Sequence, residues 1–152
     1  DYKFIVVLYN DDEEILKQLD LVKITGVDNC ELQDIRYADG CIYFNMACPS
    51  DSSQIGGKGS RLYCVDVDSA KIKWQTDYLV SNNILILYGP YVICGYGFAS
   101  EKDYLYLVDR FTGKIYAKEP LKSKASYLED INTDLYVVDS QGSVYEFRID
   151  YK

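Results

Sequence analysis

Apolar and polar positions alternate in short bursts along this chain, and one unit recurs: an apolar run, an acidic or amide turn, a Lys or Glu, and a second apolar run. Two copies are close. Leu62 to Trp74 reads Leu-Tyr-Cys-Val-Asp-Val-Asp-Ser-Ala-Lys-Ile-Lys-Trp, and Leu105 to Ala117 reads Leu-Tyr-Leu-Val-Asp-Arg-Phe-Thr-Gly-Lys-Ile-Tyr-Ala. Ile5 to Lys17 is a looser copy, and Leu135 to Phe147 echoes the unit around Asp139-Ser140-Gln141-Gly142. Apolar runs of strand length bounded by turn residues predict β-hairpins. The 43-residue offset between Asp66 and Asp109 predicts a repeat architecture of blade-sized units.

The same pattern predicts thirteen strands in chain order. Ile5–Tyr9 and Ile15–Leu19 flank an acidic turn, and Asp34–Tyr37 and Cys41–Met46 flank Ala38-Asp39-Gly40, a strong hairpin signal. Leu62–Asp66 and Lys71–Thr76 follow a long polar loop from Cys48 to Ser60. Ile84–Tyr88 and Tyr91–Tyr96 flank Gly89-Pro90, and Tyr104–Asp109 with Lys114–Glu119 repeats the motif. Tyr127–Ile131, Leu135–Val138 and Val144–Ile149 complete the set. Ile15, Leu16 and Leu19 fall at helical spacing within 11–21, but the repeat alignment outweighs that signal, so no helix is expected.

Composition supports sheet. Of 152 residues 48% are apolar, and 16 are Tyr, whose broad side chains pack well on a pleated surface. No run reaches the roughly 18 apolar residues of a membrane span, so membrane insertion is not expected. The chain begins Asp1-Tyr2-Lys3, which suggests a processed protein or an excised piece. Net charge is −8, with ten acidic and four basic residues in 1–40 against fourteen and twelve in 41–152. Such a surface repels phosphate backbones and argues against nucleic acid as a partner. Cys30, Cys41, Cys48, Cys64 and Cys94 make an odd count without a C-x-x-C pair. Reduced thiols in a reducing compartment are the simpler expectation, with one or two bridges as the alternative.

The hairpin motif carries a family resemblance. Cys64-x-Asp66-x-x-Ser69-Ala70-Lys71-x-x-Trp74 resembles the tryptophan-docking hairpin of pyrroloquinoline-quinone-like β-propellers, Ala-x-Asp-x-x-Thr-Gly-Lys-x-x-Trp. Leu107-x-Asp109-x-x-Thr112-Gly113-Lys114 keeps the turn but ends in Ala117 rather than Trp, and the first copy places Tyr9 and Glu13 at the Asp and Gly positions. The resemblance implies an all-β, propeller-like array of four-stranded antiparallel blades. In it Asp66 and Asp109 accept turn hydrogen bonds, Gly113 relieves a tight turn, and Trp74 covers the next blade. A single domain over 1–152 would comprise a partial outer blade (4–24), two blades (34–76 and 84–119) and a partial blade (127–149). That is about three blades, fewer than a ring requires, so the array is expected to be incomplete or open.

Candidate chemistry is sparse. The absence of His removes the commonest general base and every Ser-His or Cys-His pairing. Asp66-x-Asp68-x-Ala70 lacks the Gly and distal Glu of a calcium loop, and Gly56-Gly57-Lys58-Gly59-Ser60 misses the phosphate-loop spacing. Neither the vicinal cysteines nor a calcium set of the quinone enzymes is recognisable, so no catalytic residue, cofactor or metal is assigned. Candidates for contacting a partner are Asp11, Asp12, Glu13 and Glu14 in the acidic turn, with Asp51, Gln54 and Lys58 in the long loop. The leading functional expectation is a non-enzymatic propeller-type protein-interaction module, or a segment of a larger propeller. The partner is either another protein or a further copy of this chain joined through open sheet edges. The alternatives are a small acidic inhibitor of a basic partner, and a piece of a glycan-active or quinone-type propeller enzyme whose catalytic residues lie elsewhere.

Overall fold

The computed structural model describes residues 4–48, 56–98 and 100–149. Within them the chain is all-β apart from one helical turn. Its strands are β1 (Ile5–Tyr9), β2 (Ile15–Asp20), β3 (Glu31–Ala38), β4 (Cys41–Ala47), β5 (Arg61–Asp66), β6 (Lys71–Gln75), β7 (Leu85–Tyr88), β8 (Tyr91–Tyr96), β9 (Asp103–Asp109), β10 (Ile115–Leu121), β11 (Ala125–Ile131), β12 (Asp134–Asp139) and β13 (Val144–Arg148). They form four antiparallel meanders: β1-β2, β3-β4-β5-β6, β7-β8-β9-β10 and β11-β12-β13. The first strands of successive sheets converge, β3 beside β7 and β7 beside β11, as at the hub of a propeller.

Three apolar layers glue the four sheets face to face. Phe4, Val6, Leu8 and Leu19 of the first hairpin pack on Ile42, Phe44 and Val65 of the next sheet. Cys64 and Trp74 meet Leu85, Val92, Cys94 and Tyr106 in the second layer. Ile93 and Leu105 meet Leu128, Leu135 and Val137 in the third. Alternation makes this possible, because each strand sends odd and even residues to opposite neighbours.

Two expectations are corrected. The chain does contain a helical turn, α1 (Leu21–Thr25), where Asp20 caps the amide of Lys23 and Gly26 terminates it at φ 70°. Five residues are too few to leave a periodic signature. Cys30 and Cys48 are also bonded rather than free. The register explains the pairing: Glu31 lies opposite Ala47, so the residues just beyond them, Cys30 and Cys48, face each other with Cα atoms 4.1 Å apart. Cys41, Cys64 and Cys94 are buried free thiols. Burial pushes the Cys64 and Cys94 thiols up to about 12, so both stay protonated.

Polar clamps fix the angle between sheets. Asp34 accepts a hydrogen bond from the Leu85 amide at 2.9 Å, and its own amide donates to Asn45 Oδ1 at 3.0 Å. Asn45 is fully buried; its Nδ2 donates to Ser81 Oγ at 2.8 Å and to the Asn83 carbonyl. Asn83 Nδ2 in turn donates to the Ala125 carbonyl at 2.9 Å, passing the link to the last sheet. A buried amide with several partners holds its neighbours in one geometry, since breaking any bond leaves an unsatisfied group.

Candidate functional site

The repeated turns are built alike. The Asp39-Gly40 hairpin has φ of 50° and 71°, the left-handed pair that a two-residue turn requires. In the blade hairpins Asp66 Oδ1 accepts from the Ser69 amide and hydroxyl at 2.8 and 2.6 Å. Asp109 Oδ1 accepts from the amides of Phe111 and Thr112 at 2.9 and 2.7 Å. Asp139 accepts from the amides of Gln141 and Ser143 and from the Tyr145 hydroxyl. The Ser69 hydrogen bonds hold the Asp66 carboxyl below the ordinary range. Partial burial opposes the same shift at Asp109, where the Thr112 and Phe111 bonds prevail. The fifth motif position has positive φ in three copies, Glu13 at 62°, Ala70 at 54° and Gly113 at 74°, while in the Asp139 turn it is the fourth residue, Gly142, at 83°.

Trp74 is placed between sheets. It is 8% exposed, its Nε1 donates to the Arg110 carbonyl at 2.9 Å, and its ring lies against Gly113. Asp66, Asp109, Gly113 and Trp74 thus make their contacts within turns and between sheets, while Ser140 and Gln141 of the Asp139 turn border an open polar cleft with Asp103 and Lys124.

The other candidates separate in space. Asp11, Asp12, Glu13 and Glu14 are exposed in the β1–β2 turn, where Asn10 Oδ1 accepts the amides of Asp12 and Glu14. Lys58 is exposed and borders a cleft of about 450 Å³ beside the Cys30–Cys48 bridge, with Arg61 stacked 3.7 Å over the Tyr78 ring. Asp51 and Gln54 lie outside the described residues. Among the described residues no group of three or more His, Cys, Asp or Glu is arranged to hold a metal ion.

What the sequence pattern did not single out is where apolar surface remains. Eight of the twelve exposed large hydrophobic residues among those described belong to β1–β3 or β11–β13. Ile5, Tyr9, Leu16 and Tyr37 gather at one end, and Tyr127, Ile131 and Val144, each at least 47% exposed, at the other. The clustering follows from how far neighbouring strands cover the end sheets among the described residues. The first hairpin covers the outer part of its neighbour: Lys17 reaches the Asp68 carbonyl in the β5–β6 turn at 2.9 Å, and α1 lies beside β6. An apolar slot of about 390 Å³ is left between β1 and β3, lined by Val7, Tyr9, Ile35, Tyr37 and Ile42, with Arg36, ion-paired to Asp34, the one charged lining residue among those described. At the far end β13 has no outer neighbour among the described residues, and a groove of about 210 Å³ opens between Phe147 and Ile149 on one side and Ala117 and Glu119 on the other. Exposure of the strands themselves is a sequence-readable signal only once their neighbours are known.

Comparison with known proteins finds a likeness of fold alone. No family model and no curated protein matches the chain. The crystal structure of the computationally designed Ika4 protein superposes over 99% of this chain and 88% of its own, with TM-score 0.61 and 13% identity. The likeness is one of fold. BamB from Moraxella catarrhalis aligns over 95% of this chain and 48% of its own, with TM-score 0.36 and 14% identity. The sheets themselves define an all-β, propeller-like array of two- to four-stranded antiparallel sheets, stacked in chain order and open at both ends among the described residues.

Proposed function

We propose that this chain is a binding module without turnover of its own, and that it engages protein through the sheets at the two ends of its array. The observation that carries the reading is the concentration of exposed Ile, Leu, Val and Tyr on β1–β3 and β11–β13, while β4 to β9 carry none among the described residues. Contiguous apolar surface rimmed by polar residues marks interaction sites in water-exposed proteins. The Asp-x-x-Ser/Thr-Ala/Gly-Lys turns and Trp74 support kinship with the pyrroloquinoline-quinone-like propeller repeats. In this reading those residues brace the scaffold and bind no quinone.

The test uses the chain as bait beside two surface variants, Tyr9→Glu and Val144→Lys. Proteins retained by the parent and lost from both variants, with unchanged thermal melts, are the expected result. Identical capture profiles from all three baits would contradict it. So would turnover of an ester, phosphate or glycoside substrate that a point substitution in this chain abolishes.

A further inference from the structure

The two ends of the array lack complementary parts. The β1–β2 hairpin covers only the outer region of the sheet behind it, leaving β3 and the free edge of β1 bordering an empty slot. The last sheet has the hub-side strands β11, β12 and β13 but, among the described residues, no strand beyond β13, where both middle sheets carry a fourth. One end needs inner strands, and the other ends in inner strands that need a neighbour.

We infer that a second copy of this chain supplies the difference. The β11–β13 sheet of one copy enters the slot of the other, bringing β13 alongside β1 and laying its free face on Ile35, Tyr37 and Ile42. Alternation identifies that free face. Leu128, Leu135, Val137, Tyr145 and Phe147 point into the third apolar layer, so Tyr127, Ile131, Val144, Glu129 and Glu146 point away from it. Apolar residues on this face meet the apolar slot walls, while Arg36 at the slot is held by the Asp34 carboxylate of its own strand. The stacking repeats the arrangement found three times within the chain, sheet face on sheet face.

A joint of this kind is head-to-tail, because two different surfaces meet. Such contacts either close or grow into filaments. Two copies related by a two-fold axis use both joints at once. The result is six stacked sheets: two shared between chains, each of five strands with three from one copy and two from the other, and four contributed whole, a number within the range of closed propellers. Closure removes every open sheet edge at the joints, which is the liability that free β1 and β13 otherwise present. The inference rests on the reading that the end sheets are binding surfaces, and names the partner for them.

Light scattering on the 152-residue chain across the micromolar range tests it. The expected mass is twice the 17.4 kDa of one chain, independent of concentration at the upper end. Tyr9→Glu and Val144→Lys should each weaken dimerisation at least tenfold without changing the melt, since both positions are exposed in the single chain, at 57% and 69%. Ile5→Glu and Ile131→Lys provide a second pair should either variant misfold. Mixing the two variants should restore a dimer, because a mixed pair keeps one unaltered joint while each variant alone has both joints damaged. A single-chain mass at all concentrations would overturn the inference, as would mass that climbs without limit or variants that recover nothing on mixing. A monomer whose bait still captures a different protein through Tyr9 and Val144 would refute the second copy and leave the binding-surface reading standing. Identical capture profiles would remove the reading itself.

Discussion

Trp74 lies flat against Gly113, so closely that a Cβ at Gly113 would sit 2.6 Å from Trp74 Cε3 and 2.8 Å from Cδ2. The glycine therefore has two reasons to be glycine: its φ of 74° and the indole beside it. One sheet's outer strand plugs into the next sheet's turn, with the Nε1 bond to the Arg110 carbonyl setting the ring's direction.

Gly113→Ala should accordingly destabilise by roughly 2–4 kcal/mol, combining the left-handed backbone cost with the displacement of a packed ring. Trp74→Ala should cost about 3–5 kcal/mol, the usual range for an aromatic lost from a core. The double variant should lose much less than the two added together, because both act on one contact. Denaturant melts of the three proteins check this, and strict additivity would mean that ring and turn do not interact.

The other left-handed positions predict the opposite sign. Glu13, exposed at φ 62°, should gain about 1 kcal/mol on replacement by Gly. Ala70→Gly should gain less, because the Ala70 methyl packs against the first apolar layer and is lost. Equal shifts in the two melts, or a loss at Glu13, would contradict the turn assignment.

Asp103 predicts a pH dependence. Burial raises its carboxyl above the ordinary range, reinforced by the nearby Asp139 carboxylate and by Glu101 and only partly offset by Lys124. The native chain thus binds the Asp103 proton more tightly than the unfolded chain does. Its contribution to stability is fully present below the unfolded pKa of about 3.9 and is lost as pH rises through the native value. Asp103→Asn should raise the melting temperature at pH 7 and have less effect near pH 4. The depressed carboxyls of Asp66 and Asp109 act in the reverse sense: their contribution is present above the unfolded value and lost as pH falls through the native one. Melts of parent and variant from about pH 2 to 8 resolve the two, and a pH-independent Asp103→Asn effect would refute the carboxylate argument.

The hairpins were legible in the chain because their signals are local. Asp66-x-x-Ser69-Ala70-Lys71 and Asp109-x-x-Thr112-Gly113-Lys114 state turn, strand ends and repeat length within a dozen residues. The clamps were not, although Asn45 stands out as a polar residue inside the apolar run Cys41–Ala47. Its partners Ser81 and Asn83 are 36 and 38 residues away, and no short-range pattern names them. Cys30 and Cys48 escaped for the same reason: only the β3–β4 register brings them together. Boundaries moved where the ladder outran the apolar pattern, as at β10, which continues through Pro120 to Leu121 on an edge where a missing donor is tolerated. The apolar ends were hidden because exposure depends on which strands lie alongside, a property of the stack rather than of any segment.

The measurement that bears most directly on the open, mutually completing ends is hydrogen exchange on dilute and concentrated samples, followed peptide by peptide. Interior strands such as β5 and β8, paired on both edges within one chain, should exchange slowly and alike in the two samples. Amides of β1 and β13 should exchange fast when dilute and become protected on concentration, together and over the same range. Protection at β1 and β13 that does not change with concentration, or a gain that spreads equally over β5 and β8, would contradict the account.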